Sequence, residues 1–370
     1  MVPTEILAAQ HFETLEQYLQ PYGVRIALLT GGMRAKARRE LLLNLELGLV
    51  DVVVGTHALL EEDVRFANLS LTVTDEQHRF GVEQRARLSN KSANAPDVLV
   101  MTATPIPRTL ALTVYGDLDI SVMKGRPPQR KPVRTLCYTD ERRREVYAGL
   151  VRQVQAGRQA YVVCPLIEES DVLAVHSAER VYEELKRDFL QDIPCALLHG
   201  RLKGAEKDAI MSSFAAGELK VLVSTTVIEV GVNVPNATLM VIENAERFGL
   251  AQLHQLRGRV GRGSEQSYCV LLTAADSPEA LARLNVLHES EDGFYLAEKD
   301  MEQRGAGQLF GLKQHGLPDL RIADIMRDVD VIAQVRQLAQ AQLRTPEDWA
   351  EIRRLVEMQF GERFNMIFNT

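Results

Sequence analysis

Leu69-Ser70-Leu71-Thr72-Val73-Thr74-Asp75-Glu76-Gln77-His78 places two carboxylates and a histidine directly behind a run of strand-forming residues. In parallel α/β domains, ligand chemistry sits beyond the carboxyl ends of the strands. An Asp at such an end holds Mg²⁺ through water, and an adjacent Glu orients an attacking water for phosphoryl transfer. Alone, the pair also suits a turn or a helix cap, so its meaning depends on the surrounding chain.

The same rhythm recurs on both sides. Val24–Leu29 and Val50–Val54 precede the stretch and Val98–Met101 follows it, each a short apolar run leading into a turn and then helix-like sequence. That alternation predicts parallel α/β units. It breaks at Lys124-Gly125-Arg126-Pro127-Pro128, a basic Pro/Gly stretch that reads as a linker. It resumes with strands over Ala160–Cys164, Cys195–Leu198, Leu219–Val223, Leu239–Ile242 and Tyr268–Leu272, and with helices over Ala178–Phe189 and Gly204–Phe214. After Thr273 the strands stop, and Pro278–Leu287 and Val331–Leu343 read as helices around the Gly-rich segment Gly305–Gly316. The expected fold class is α/β: two parallel-sheet domains and a helical C-terminal extension, in keeping with a length of 370 residues. The boundaries fall at 1–125 for the first domain, 126–135 for the linker, 136–275 for the second domain and 276–370 for the extension.

Composition narrows the class. Hydrophobic residues at 46% and charged residues at 25% match a soluble globular protein. No apolar run approaches the roughly 18 residues of a membrane span, and Met1–Ala9 carries Glu5 and no basic start, unlike a signal peptide. The four cysteines Cys137, Cys164, Cys195 and Cys269 are scattered without Cys-x-x-Cys spacing, which argues against a zinc site or disulfide framework and for a reducing cytoplasm. A net charge of −7 is not that of a passive nucleic-acid coat. Local patches govern affinity, however, and Arg126, Arg130, Lys131, Arg134 and Arg142–Arg144 form one. That patch fits a solvated linker as well as a DNA contact.

Three further segments carry chemistry. Thr102-Ala103-Thr104-Pro105 follows a strand, where its hydroxyls can bond an acidic pair on the neighbouring strand and can equally cap a Pro-started helix. Gln255-Leu256-Arg257-Gly258-Arg259-Val260-Gly261-Arg262-Gly263 sets three arginines among glycines. Glycine costs about 1 kcal/mol per helical position, whereas arginine forks grip phosphate oxygens and glycine lets backbone approach closely. An arginine reaching a γ-phosphate contributes about 10³ to 10⁵ in rate. Ser224–Pro235, with Thr226, Glu229, Gly231 and Asn233, faces either a ligand or simply a strand-to-helix turn.

Taken in order, these segments resemble the motifs of superfamily 2 helicases, and RecG most closely. Pro3-Thr4-Glu5-Ile6-Leu7-Ala8 resembles motif Ia and Gly55-Thr56-His57-Ala58-Leu59 resembles Ib. Asp75–Val82 resembles motif II, Thr102–Thr109 motif III, Ser224–Ala237 motif V and Gln255–Gly263 motif VI. The resemblance implies two RecA-like domains, the first incomplete, acting as a monomer with ATP and Mg²⁺ on branched or forked DNA, without a membrane partner. It implies Asp75 as metal ligand, Glu76 as catalytic base, and Arg259 and Arg262 reaching the triphosphate, with Gly231, Asn233 and Gln255 on the nucleotide. His78, Thr102 and Thr104 would couple hydrolysis to motion, and Pro3, Thr4, Thr56, His57 and Thr226 would line the DNA track. Gly293–Gly316 resembles the translocation motif, with Arg304 and Gln314 at its polar positions. The transcription-repair coupling factor is the nearest rival, and Gln77, where that family carries a second Glu, favours RecG, as does Gly116-Asp117-Leu118-Asp119.

The departures matter as much. The sequence contains no Gly-x-x-x-x-Gly-Lys-Ser/Thr, the loop that cradles β- and γ-phosphates on its backbone N–H groups. In the family that loop and a wedge domain lie upstream of motif Ia. The expectation is therefore a truncated motor with exposed strand surface, an unpaired sheet edge and negligible hydrolysis by itself. Asn233 stands where the family has Asp, Gln308 replaces an acidic residue and His315 a small hydroxyl residue. Arg142-Arg143-Arg144 matches no motif.

Overall fold

The computed structural model describes residues 1–77, 80, 84, 88, 91, 95–103, 119–123, 125, 130–165, 171–225, 234–274, 278–304, 328–342 and 349–360. The chain divides into two compact units, one drawn from 1–104 and 128–289, the other from 105–127 and 290–370.

In the larger unit, Thr4 ends an extended start and caps helix α1 (Glu5–Leu19), its hydroxyl accepting the Leu7 N–H at 3.4 Å. Strand β1 (Ile26–Leu29), helix α2 (Ala35–Glu46) and strand β2 (Val52–Gly55) follow, and β1 and β2 pair in parallel from Ile26 opposite Val52 to Leu29 opposite Gly55. Strands β3 (Leu71–Thr74) and β4 (Asp97–Val100) form a second parallel pair. Met1 and Val2 join the two pairs: Val2 N–H donates to Gly55 O at 2.9 Å and Met1 O accepts the Asp75 N–H at 3.0 Å. Between β2 and β3 lies a cavity of about 770 Å³, lined by Met1, Val2, Val52, Val54, Leu69 and Val73 among others. Strand surface is open beside it, with Leu71 54% and Val98 and Leu99 each 50% exposed.

The rest of the unit is built on a six-stranded parallel sheet in the order β5-β10-β9-β6-β8-β7. Its strands are β5 (Arg134–Thr139), β6 (Gln159–Val163), β7 (Cys195–Leu198), β8 (Val221–Ser224), β9 (Ala237–Ile242) and β10 (Tyr268–Thr273). Helices α3 (Arg143–Gln155), α4 (Asp171–Asp188), α5 (Gly204–Ala215), α6 (Leu250–Arg257) and α7 (Pro278–Glu289) alternate with them. Every residue of β6, β8 and β9 is buried, which is why these strands read as continuous apolar runs without alternation. Tyr147, Leu150, Leu185, Val223 and Val241 meet in one core cluster, where each large aliphatic side chain contributes about 1.5–3 kcal/mol.

Arg142–Arg144, the triplet without a motif, contacts its own domain. Arg142 pairs with Glu145 at 2.7 Å and lies 4.6 Å from the Tyr138 ring centre. Arg143 pairs at 2.7 Å with Glu243, which is only 1% exposed and also accepts the Tyr147 hydroxyl at 2.7 Å. Arg144 lies over Phe189 at 6.0 Å. Burial pushes the Glu243 carboxyl above its usual range while Arg143 pulls the other way.

The smaller unit holds α8 (Gly293–Arg304), α9 (Val329–Gln342) and α10 (Trp349–Phe360). Asp292 caps the first of these, its carboxylate accepting the Phe294 N–H at 2.9 Å. No helix among the described residues is long and apolar enough to cross a membrane.

Replacing Tyr147 by Phe removes a donor from a buried carboxylate without creating a void. The expected loss is about 1–3 kcal/mol in urea unfolding; an unchanged midpoint would show that Glu243 has no need of that hydroxyl.

Candidate nucleotide site

Four of the side chains expected to act on a nucleotide line one cavity. Glu76, Gln255, Arg259 and Arg262 surround a space of about 220 Å³ together with Ala103, His254 and Gly258. Glu76 and Ala103 come from the turns after β3 and β4, and the others from α6 and the loop behind it.

The turn after β3 is tightly anchored. Met101 N–H donates to Thr74 O at 2.8 Å and Gln77 N–H to Met101 O at 3.1 Å, so the ends of β3 and β4 lock together. Glu76 pays a conformational cost there: its φ is 51°, a left-handed backbone that non-glycine residues avoid. Such strain persists where the surroundings over-determine the geometry. Asp75 lies one residue back but lines the larger cavity between β2 and β3, not the one that holds Glu76. Its Oδ1 accepts the Glu76 N–H at 2.8 Å and its Oδ2 lies 3.2 Å from His11 Nε2. The His11 bond holds the Asp75 carboxyl below the usual carboxylate range, against the opposing effect of burial.

The arginine-glycine segment separates into two kinds of residue. Arg257 is 3% exposed and points into the domain, donating to Leu287 O at 2.7 Å and to the Thr135 hydroxyl at 3.3 Å. It ties α6 to α7 and β5, and only Arg259 and Arg262 reach the cavity. Burial, with Arg259 and Arg130 as like-charged neighbours, pulls the Arg262 guanidinium below its usual range. Two glycines are required for packing. Gly261 has φ 76°, and a Cβ there would sit 2.6 Å from Val133 Cγ2; at Gly263 it would sit 2.7 Å from Pro235 O. The close approach read from these glycines is thus made to the protein's own backbone and side chains.

The other expected positions are more scattered. Pro3, Thr4, Thr56 and His57 follow the carboxyl ends of the Met1–Val2 segment and β2, adjacent because Val2 pairs with Gly55. Thr56 is buried, its hydroxyl without a hydrogen-bond partner among the described residues, while His57 is exposed. Thr102 is exposed after β4. His78, Thr104, Thr226, Gly231, Asn233 and Gln314 lie outside the described residues, as do Gln308 and His315. Arg304 ends α8, and only its backbone is described. Sequence reasoning missed His11 and the inward turn of Arg257. His11 stands seven residues after Thr4, two helical turns on, and periodicity alone does not say which neighbour that face meets. Among the described residues no group of three or more His, Cys, Asp or Glu side chains converges on one point.

Gly261→Ala should cost about 1–2 kcal/mol for the left-handed backbone alone, with more from the contact at Val133. Adding Val133→Ala should recover the steric share and leave the backbone share in urea unfolding. Full recovery, or no loss at all, would contradict this packing.

Comparison with known proteins finds the same kind of relative along the whole chain. Residues 1–113 match the DEAD/DEAH box helicase model, 142–264 the helicase conserved C-terminal domain, and 290–359 the C-terminal part of domain 3 of the ATP-dependent DNA helicase RecG. The chain is 50% identical over 351 residues to the ATP-dependent DNA helicase RecG of Bacillus subtilis, a match covering 95% of this chain and 51% of that protein. A solved structure of RecG bound to a three-way DNA junction is 46% identical, with a TM-score of 0.73, over 90% of this chain and 43% of that one. The Mycobacterium smegmatis helicase Lhr, solved with single-stranded DNA and AMP-PNP, shares the fold at 16% identity and a TM-score of 0.57, over 79% of this chain and 42% of that one. The chain spans about half the length of the curated relatives it matches. With parallel-sheet RecA-like domains, the ordered motifs and half of its residues shared with RecG proteins, the chain is similar over most of its length to the RecG type of superfamily 2 helicases.

Proposed function

We propose that the chain carries the motor domains of an ATP-dependent DNA helicase, a branched-DNA translocase that remodels replication forks and Holliday junctions in recombination and repair. The observation that carries this reading is the cavity in which Glu76, Gln255, Arg259 and Arg262 face one another. A carboxylate opposite two guanidiniums suits a phosphoryl-transfer site, where the base orients water and the arginines meet developing charge. The crowding of Arg262 by Arg259 and Arg130 is relieved by a polyanion, so the residues present fit the phosphates of ATP.

Each residue then has a task. By the motif resemblance Asp75 would hold Mg²⁺ through water, although its side chain lines the cavity between β2 and β3 and not the one that holds Glu76. Glu76 takes the proton of the attacking water, and Arg259 and Arg262 hold the phosphates. Gln255, with Gly231 and Asn233, contacts the nucleotide. His78, Thr102 and Thr104 link the nucleotide to domain motion. Pro3, Thr4, Thr56, His57 and Thr226 follow the DNA backbone, with Arg304 and Gln314 in the translocation tract. When bound, Mg²⁺·ATP supplies the bond whose cleavage drives movement. The RecG of the solved complex binds a three-way junction, which supports branched DNA as the substrate here, and the chain works as a cytoplasmic monomer.

These 370 residues contain no Gly-x-x-x-x-Gly-Lys-Ser/Thr, and this favours a second reading for the chain by itself: DNA binding without turnover. Purified chain should show DNA-stimulated ATP hydrolysis no higher than its Glu76→Gln variant. It should bind forked DNA with log affinity falling linearly with log salt. Turnover above the variant would overturn the first expectation, and salt-independent or absent binding the second.

A further inference from the structure

We propose that His254 is a phosphate-binding residue of the cavity that holds Glu76, Arg259 and Arg262, offering a neutral N–H donor beside the two guanidiniums. This rests on the reading of that cavity as a phosphoryl-transfer site.

His254 lines the cavity together with Glu76, Gln255, Arg259 and Arg262, and Arg257 sets its chemistry from behind. Arg257 Nη2 lies 3.0 Å from His254 Nδ1, while Nη1 of the same guanidinium donates to Leu287 O at 2.7 Å and to the Thr135 hydroxyl at 3.3 Å. A guanidinium has only donors and keeps its proton, so Nδ1 is the acceptor and carries no hydrogen. The ring proton is therefore on Nε2, and the imidazole is neutral while that bond stands. The two nitrogens lie on opposite edges of the ring. With Nδ1 turned to Arg257, which is 3% exposed, the Nε2–H is directed away from the domain interior, on the side that meets the cavity. An anchored partner on one ring nitrogen thus sets what the other nitrogen offers.

Helix α6 keeps that side open. Its buried residues are Leu250, Leu253, Leu256 and Arg257, which leaves His254 and Gln255 turned from the core. One turn on is Gly258, which lines the same cavity. A side chain there would lean back over His254, because helical side chains cover the turn N-terminal to their own Cα. The Gly258 backbone is right-handed, with φ −66° and ψ −9°, so no left-handed turn calls for glycine at this position. A neutral donor also suits the charge already present. Arg259 and Arg130 crowd Arg262, and a further cation would add to that repulsion. An imidazole N–H bonds an anionic phosphate oxygen without adding charge.

The test is the affinity of the 370-residue chain for inorganic tripolyphosphate, by isothermal titration calorimetry. Losing a hydrogen bond to a charged group weakens binding about 10- to 100-fold, and His254→Ala should show a loss of that size. His254→Gln, which keeps an N–H donor near the place of Nε2, should stay within a few-fold of the unmutated chain. A fall in His254→Gln as large as in His254→Ala would assign the effect to packing and overturn the donor role. If Arg259→Ala with Arg262→Ala abolishes binding while His254→Ala matches the unmutated chain, the role of His254 is overturned and the phosphate reading stands. If the unmutated chain does not bind tripolyphosphate, or the double arginine variant binds it as tightly, the phosphate reading falls and this inference with it. A second measurement leaves residue 254 unchanged: the ¹⁵N spectrum of histidine-labelled chain. His254 should show a bare Nδ1 and a protonated Nε2 at neutral pH, and its Nε2–H resonance should move when tripolyphosphate is added. A protonated Nδ1, or an Nε2–H that does not respond to saturating tripolyphosphate, overturns the proposal even where His254→Ala fails to fold.

Discussion

Two guanidiniums, Arg259 and Arg262, share one small cavity with a single carboxylate, Glu76. Positive charge gathered away from water is unfavourable unless something negative meets it. Burial and the neighbouring Arg259 and Arg130 oppose the charge on Arg262, which guanidinium chemistry prevents it from discarding. The arginine side of the cavity is therefore electropositive, and the surrounding structure holds it in place. Helix α6 is anchored through Arg257, and the turn at Gly261 packs closely against Val133. Glu76 is held in a left-handed backbone on the opposite wall. These features place charge where an isolated loop would let it drift.

The division of labour within one nine-residue segment shows how chemistry and packing interleave. Of its three arginines, one is structural and two face the cavity. Its glycines at 261 and 263 are needed for close contacts with Val133 and Pro235, so they aim the arginines by seating the loop. Arg142–Arg144, equally basic in sequence, is engaged with Glu145, Glu243, Tyr138 and Phe189 in its own domain. A run of arginines is thus a poor guide to a surface until its partners are known.

How much was legible follows from which interactions are local. Buried parallel strands betray themselves through uninterrupted apolar runs, so β7 matched its expected bounds and β6, β8, β9 and β10 shifted by only one or two residues. Strand β5 was not foreseen: Arg134–Thr139 mixes polar and apolar residues because it lies at the sheet edge, paired on one side with β10. The acidic pair was placed correctly at a strand end, but nothing in the local pattern tells that Asp75 and Glu76 line different cavities. The His11 contact spans 64 residues, and no periodicity within α1 encodes it. Local pattern specifies elements; long-range register decides which side chains meet.

The central claim is that Arg259 and Arg262 form a phosphate-binding site opposite Glu76. Its most direct test is the shift in thermal midpoint on adding inorganic tripolyphosphate, since a ligand that prefers the folded state stabilises it by mass action. The unmutated chain should rise with tripolyphosphate concentration, and a chain carrying Arg259→Ala with Arg262→Ala should not respond. An equal rise in both proteins would place the anion elsewhere and contradict the account.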